Sequence, residues 1–233
     1  MSNWQPVEGV PSLARFIRFD AGVPMFSSLA LPLHGGGSLV VSALPSDHED
    51  DYAALEEIGS PTMLLAPNHY HNLGLKPFCK RYPAAMAVSS DEARPRLVKQ
   101  TSLPVGSLEA LTERLPPGVS ILQPEGLKQG EVWLRFETPQ GIVWAVCDAF
   151  FNVMPVPTSV FGGFLWLTQG APGLRIGGTF LAVGIRDKQR YSGWLHAQLL
   201  ADRPIGLLPA HGNPVFAQDL SDQLAEIVRR RVG

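Results

Sequence analysis

Residues 64 to 75 read LLAPNHYHNLGL: an apolar run, a proline, then two histidines one residue apart with an asparagine on either side. Leu64, Leu65 and Ala66 have the composition of a buried strand, and Pro67 with Asn68 ends it. Alternate side chains of an extended segment point the same way, so His69 and His71 can offer two imidazoles to one cation. Two solvated histidines after a strand would give the same string. The meaning of the stretch therefore depends on which other donors the chain brings to it.

Two further donors follow apolar strands. In GIVWAVCDAF, residues 141 to 150, Asp148 stands near a strand end, where a carboxylate can project from a sheet rim. In IGLLPAHGNP, residues 205 to 214, His211 comes just past another apolar run and just before Gly212. Imidazoles and a carboxylate delivered from separate strand ends are the usual parts of a metal site. Of the other histidines, His196 falls on a helix, while His34 and His48 fall in a turn and at a helix start and read as solvated.

Short apolar runs separated by Gly, Pro and Asn give strands at ARFIRF, FSSLALPL, GSLVVSAL, TMLLAP, AMAVS, GVSILQP, EVWLRFET and GIVWAVCDAF. LHGGGSLVV and ETPQGIVWAV read as tight antiparallel hairpins. A helix is expected in SDHEDDYAALEEIG, with a cap at Ser46 or Asp47 and an end at Gly59. LGLKPFCKRYP gives a short helix stopped by Pro83, and SDEARPRL begins another that Pro95 limits. Two amphipathic helices close the chain. The first carries Tyr191, Trp194, Leu195, Gln198 and Leu199, and the second Leu220, Leu224, Ile227 and Val228.

Residues 152 to 184 mix Gly, Pro and large apolar side chains, including Phe161, Phe164 and Trp166. This suits either a flap beside a cleft or a partly buried connection, and it leads to the expectation of a small-molecule ligand or substrate with hydrophobic surface.

Composition narrows the classes of function. Hydrophobic residues make up 45% and charged residues 17% of 233, so much of the chain must be interior, and one domain over 1–233 is expected. A formal net charge of −2 gives no field to recruit nucleic acid, and the one basic cluster, Arg229 to Arg231, complements the end of a terminal helix. No apolar run is long enough for a membrane span, and the first residues lack a secretion signal, so a cytoplasmic protein with no membrane partner is expected. Cys79 and Cys147 are far apart and outside any Cys-x-x-Cys spacing, so each reads as a small buried hydrophobe.

The order of these features resembles the metallo-β-lactamase superfamily: an early hairpin, a helix, a strand ending in a His-rich loop, a strand ending in Asp and a last strand ending in His-Gly. The resemblance covers about residues 14 to 231 and is closest to an uncharacterised group sharing the segment APNHYHNLGLKPFCKRYPAA. It implies an α/β fold, a four-layer αββα sandwich with a metal site on the rim between two sheets.

The family's first motif, His-x-His-x-Asp-His, is degenerate in this chain. With His69 and His71 as its first two members, Leu73 and Gly74 take the Asp and His positions. With Gly74 matched instead to the glycine that trails the motif, His71 replaces the Asp and Asn72 the last His. Both registers lose at least two donors. A middle histidine is missing as well, since QPEGLKQGEV occupies the place of a Pro-Gly-His-Thr turn. The resemblance thus implies metal ligands at His69, His71, Asp148 and His211, with Asp148 and His211 also taking catalytic roles.

Four donors suit one Zn or Fe ion rather than two zincs sharing a hydroxide. Three readings stand: a mononuclear metal-dependent hydrolase, a metal-free descendant that binds a small molecule or protein partner, and redox use of a bound iron.

Overall fold

Short continuous apolar runs make two sheets, each apolar on both faces. The computed structural model describes residues 2–233. The first sheet holds β1 (Trp4–Pro6), β2 (Ala14–Asp20), β3 (Val23–Pro32), β4 (Ser38–Val41), β5 (Pro61–Leu65), β6 (Met86–Val88) and β7 (Val105–Gly106), in that spatial order. Pairing is antiparallel from β1 to β4 and parallel from β4 to β7. The second sheet is built from β8 (Val119–Leu122), β9 (Trp133–Thr138), β10 (Gly141–Val153), β11 (Gly173–Arg175), β12 (Gly206–Gly212) and β13 (Val215–Phe216). Its order is β13-β12-β10-β9-β8, with β11 on β10, and β10 and β12 run parallel.

The helices are α1 (Glu49–Ile58), α2 (Leu75–Arg81), α3 (Arg94–Thr101), α4 (Glu109–Thr112), α5 (Val160–Leu167), α6 (Lys188–Asp202) and α7 (Leu220–Arg231). Neighbouring residues of each strand go to different cores, which defines the layers. Leu39 and Val41 meet Leu134, Phe136, Val143, Ala145 and Leu208 between the sheets. Val40 and Leu64 face the other way, onto Leu55 of α1, Phe78 of α2 and Leu97 of α3. Trp133, Trp144 and Leu207 pack on Tyr191, Leu195 and Leu199 of α6 and on Leu224 and Val228 of α7. The result is the four-layer αββα sandwich expected from the resemblance.

The eight expected strands and both hairpins are present, and the two closing helices bury the stripes read from their spacing. Two local readings change. The first helix starts after His48, without a side-chain cap, rather than after Ser46 or Asp47, and the Ser46 hydroxyl donates to the Asp51 carboxylate and accepts from His48 N. That buried carboxylate also accepts from Ser2 Oγ, Asn3 N and Asn3 Nδ2, which ties the N-terminal segment to α1. Pro95 does not shorten its helix. It lies in the first turn of α3, where its missing N–H has no intrahelical partner to lose, and the helix runs on to Thr101.

The irregular segment 152 to 184 contains α5, β11 and a π-helical turn at Phe180–Gly184. Leu165 packs inward on Met25, Phe151 and Val153, as a partly buried connection does, while most other side chains of α5 face outward. No helix among the described residues is long and apolar enough to cross a membrane.

Candidate metal centre on the sandwich rim

Two strand ends and a bulge meet at one rim, since β10 does not end near Asp148 as the sequence suggests but runs on to Val153. β5 stops at Leu65, the Ala66 N–H donates to Val88 O, and the chain turns at Pro67-Asn68. Asn68 is fully buried, and its Oδ1 accepts from the N–H groups of Tyr70 at 2.8 Å and His71 at 3.2 Å. This side-chain turn fixes where His71 points. The loop then passes under Ala43 at Gly74, where a Cβ atom would sit 2.0 Å from the Ala43 carbonyl oxygen. Glycine is required there by close approach.

β10 supplies the carboxylate through a break in its pairing. Between the Val146/Pro209 and Phe151/His211 pairs, β10 advances five residues while β12 advances two. Residues 147 to 150 therefore bulge from the ladder and present Asp148 at the rim, the use such bulges commonly have beside sites. β12 delivers His211 from its tip. The following Gly212 has φ +94°, and a Cβ there would meet the Asn152 carbonyl at 2.0 Å. The buried Arg15 guanidinium of β2 holds this tip by donating to Gly212 O and to Ser27 Oγ. Burial lowers the Arg15 pKa to about 10.

His71 Nε2 lies 3.2 Å and His211 Nε2 lies 3.0 Å from Asp148 Oδ1. Asn68 Nδ2 donates to Asp148 Oδ2 at 2.7 Å. The far ring nitrogens are also engaged, His71 Nδ1 with Ser42 Oγ at 2.6 Å and His211 Nδ1 with Met25 O at 3.3 Å. Phe151 stacks on the His211 ring at 4.9 Å and Phe26 meets it edge-on at 5.4 Å. A cavity of about 230 Å³ opens over the group, lined among others by Phe26, Ser42, Tyr70, Leu73, Asp148 and His211.

The charges of the site are set by burial and by one another. Burial would raise Asp148, but the two imidazoles outweigh it and hold the carboxyl well below the usual range. Burial opposes the charged form of His71, and Asp148 with Glu131 overcomes that and raises it. Behind the bulge lies a second carboxylate, Glu131, which burial and the Asp148 charge push up to about 7.

A bound ion tests as follows against these residues. A carbonyl oxygen only accepts, so His211 Nδ1 must carry the proton toward Met25. In the neutral ring Nε2 then presents a lone pair to a carboxylate 3.0 Å away, which needs a second proton or a cation between them. Two ligands about 2.1 Å from one ion at ordinary angles stand about 3.0 to 3.4 Å apart, which matches both contacts. The donor set fits a single divalent ion of the kind that takes two histidines and a carboxylate.

Of the four expected ligands, the structure brings His71, Asp148 and His211 together, their donor atoms all within 4.8 Å of one another. His69 is a correction: it does not join them. Its Nε2 sits 3.1 Å from Arg96 Nη1 and its ring packs on Tyr70 at 4.2 Å. Burial and the Arg96 charge lower its pKa. The two-residue alternation assumed an extended segment, whereas Asn68 curls 68–71 into a turn that sends the two rings apart. Leu73 is 73% exposed on the cleft lip. His34, His48 and His196 are exposed and distant in the fold, as expected.

Asn68 and Glu131 were not recognised as functional from the sequence. Asn68 had a usable signal, a turn-forming residue immediately before the histidines. Glu131 looked like an ordinary residue at a strand start. Glu131, Cys147 and Asp148 also lie near one another, but Asn68 Nδ2 donates into that group at Cys147 Sγ and Asp148 Oδ2, and both Glu131 oxygens accept hydrogen bonds. The group is thus a hydrogen-bond network, with no free donor set for a second ion.

No protein-family model matches the chain, and no curated protein matches it. Solved structures do. A metallo-β-lactamase from Pontibacter korlensis superposes with a TM-score of 0.62 at 12% identity, over 97% of this chain and 98% of that one. The metallo-β-lactamase FIM-1 from Pseudomonas aeruginosa in its mono-zinc form gives 0.59 at 13% identity, over 98% and 95%. A metallo-β-lactamase from Hirschia baltica gives 0.59 at 11% identity, over 97% and 98%. Identities this low carry the architecture and nothing of the activity. With two stacked sheets, helices on both outer faces and a rim site fed by two strand ends and a bulge, the chain has the metallo-β-lactamase fold.

Proposed function

We propose that this protein is a mononuclear metal-dependent hydrolase whose single Zn or Fe ion is held by His71, Asp148 and His211. The observation that supports this most is the His211 ring, whose Nδ1 meets the Met25 carbonyl at 3.3 Å while its Nε2 stands 3.0 Å from Asp148 Oδ1. A divalent ion bound there supplies a Lewis acid and lowers the pKa of its water towards about 7. Asn68 holds Asp148, Ser42 and Met25 hold the two rings, and Phe26 and Phe151 keep water from the His211 side.

The substrate of this reading carries an apolar portion. Phe26, which touches His211, stands 5.5 Å from Phe161, and Phe161 stands 6.2 Å from Phe164, so an aromatic path leads from the donors to the outer face of α5. No acidic residue, basic residue or histidine occurs from residue 149 to residue 174.

The test is elemental analysis of protein purified without chelator, beside a His71→Ala, His211→Ala variant. About one Zn or Fe per chain in the wild type and near none in the variant is expected. Chelator-sensitive cleavage within a panel of apolar chromogenic esters, amides and phosphodiesters would then identify the bond attacked. Equal, near-zero metal in both proteins would leave the second reading, a metal-free cleft protein. That reading draws on the same contacts, because a proton shared between His211 and Asp148 also satisfies them.

A further inference from the structure

β10 has no β9 partner beyond the Ala145/Leu134 pair, and the bulge that presents Asp148 also takes residues 147 to 150 out of the β12 ladder, so the backbone N–H groups beside Asp148 need acceptors elsewhere. Buried N–H groups are almost always paired. Here one side chain takes them. Glu131 Oε1 accepts from Cys147 N at 3.2 Å and Ala149 N at 3.1 Å, the two amides that flank Asp148. The same oxygen accepts Trp133 Nε1 at 2.7 Å, and Oε2 accepts Gln129 Nε2 at 2.7 Å. Glu131 is 1% exposed, so the network has no water to fall back on.

We infer that Glu131 is the positioning residue of the site: its carboxylate replaces the missing strand partner of the bulge, clamps the backbone on both sides of Asp148, and so fixes the carboxylate that His71 and His211 face. It acts through Asp148 and touches neither the cleft nor the reacting atoms. The inference builds on the metal reading above, yet its geometric content stands without an ion. A buried acid elsewhere in the core would be a liability for folding. At this position its four hydrogen bonds converge on the one stretch of β10 that has lost its ladder.

The test compares wild type with Glu131→Met, which keeps the length and removes every acceptor, and with Glu131→Gln, which keeps one oxygen for the Cys147 and Ala149 amides. Two readouts are taken: Co²⁺ affinity by titration, and the imidazole ¹H–¹⁵N resonances of His71 and His211 in the absence of added metal. The expected result is Co²⁺ binding about 10- to 100-fold weaker in the Met variant, shifted imidazole resonances in it, and substantial rescue of both in the Gln variant. Wild-type affinity and unshifted imidazoles in the Met variant overturn the inference, as does a Gln variant no better than Met. If the wild type takes up no Co²⁺, the metal reading falls, and the imidazole resonances decide this inference alone. If the Met variant does not fold, amide exchange in the wild type decides: slow exchange at Cys147 and Ala149 is expected, and rapid exchange at both overturns the clamp.

Discussion

Asn68 and Asp148 are 80 residues apart in sequence, and Asn68 Nδ2 lies 2.7 Å from Asp148 Oδ2. One amide joins the two halves of the site, since its Oδ1 shapes the His71 turn and its Nδ2 steadies the carboxylate. Asn68→Ala would therefore strip one donor from the half-buried Asp148 carboxylate and an acceptor from two loop amides. A loss of about 1 to 3 kcal/mol in unfolding free energy is expected by urea titration, with metal affinity reduced about 10-fold or more.

His69→Ala separates the two histidines of the motif. His69 faces Arg96 rather than Asp148, so the variant should keep its Co²⁺ affinity within about threefold of wild type, whereas His71→Ala should weaken it at least 10-fold. Metal titration of the two single variants gives the answer, and equal losses would place His69 among the ligands after all.

Gly74→Ala tests the close approach under the His71 loop. With a Cβ 2.0 Å from the Ala43 carbonyl, the loop or the end of β4 must move. Overpacking of this kind costs about 1 to 3 kcal/mol. A matching drop in the urea midpoint is expected, together with weaker metal binding because His71 lies only three residues before Gly74.

Asp51 links pH to stability. Burial would raise its pKa, but its bonds to Ser46, Asn3 and Ser2 outweigh that and lower it from an ordinary value of 3.8. A carboxyl with a lowered folded-state pKa stabilises the fold fully above the unfolded value and loses that contribution as pH falls through the folded one. Wild type should therefore exceed Asp51→Asn by about 1.5 to 3 kcal/mol at neutral pH. That gap should close on acidification below the ordinary value. Urea titrations across the acid range measure it, and a gap independent of pH would contradict it.

Helix α5 should matter for ligands and little for folding. Val160 is 93% and Trp166 64% exposed, and Phe161 and Phe164 also face outward. Exposed substitutions usually stay within about 0.5 kcal/mol. Phe161→Ser with Phe164→Ser should accordingly leave the unfolding midpoint near wild type. Fluorescence of an apolar probe such as anilinonaphthalene sulfonate should fall several-fold.

Short apolar runs determined the strands by themselves, because Leu39, Val40 and Val41 can each find a core only when the sheet is covered on both sides. Glycine placement determined both hairpins, and helical spacing determined the faces that α6 and α7 bury. The candidate donors His71, Asp148 and His211 were likewise legible, as polar residues set at the ends of apolar runs.

Tertiary structure alone decided which donors meet. The turn made by Asn68 separates His69 from His71, although alternation along an extended strand would have aligned them. The bulge at residues 147 to 150 depends on how β10 registers against β12, a pairing between segments about 60 residues apart. Glu131 gained its role from amides that became orphaned only when that register formed. Local pattern fixes what each segment buries, whereas the direction of a polar side chain at a strand end is set by hydrogen bonds to groups that sequence distance conceals.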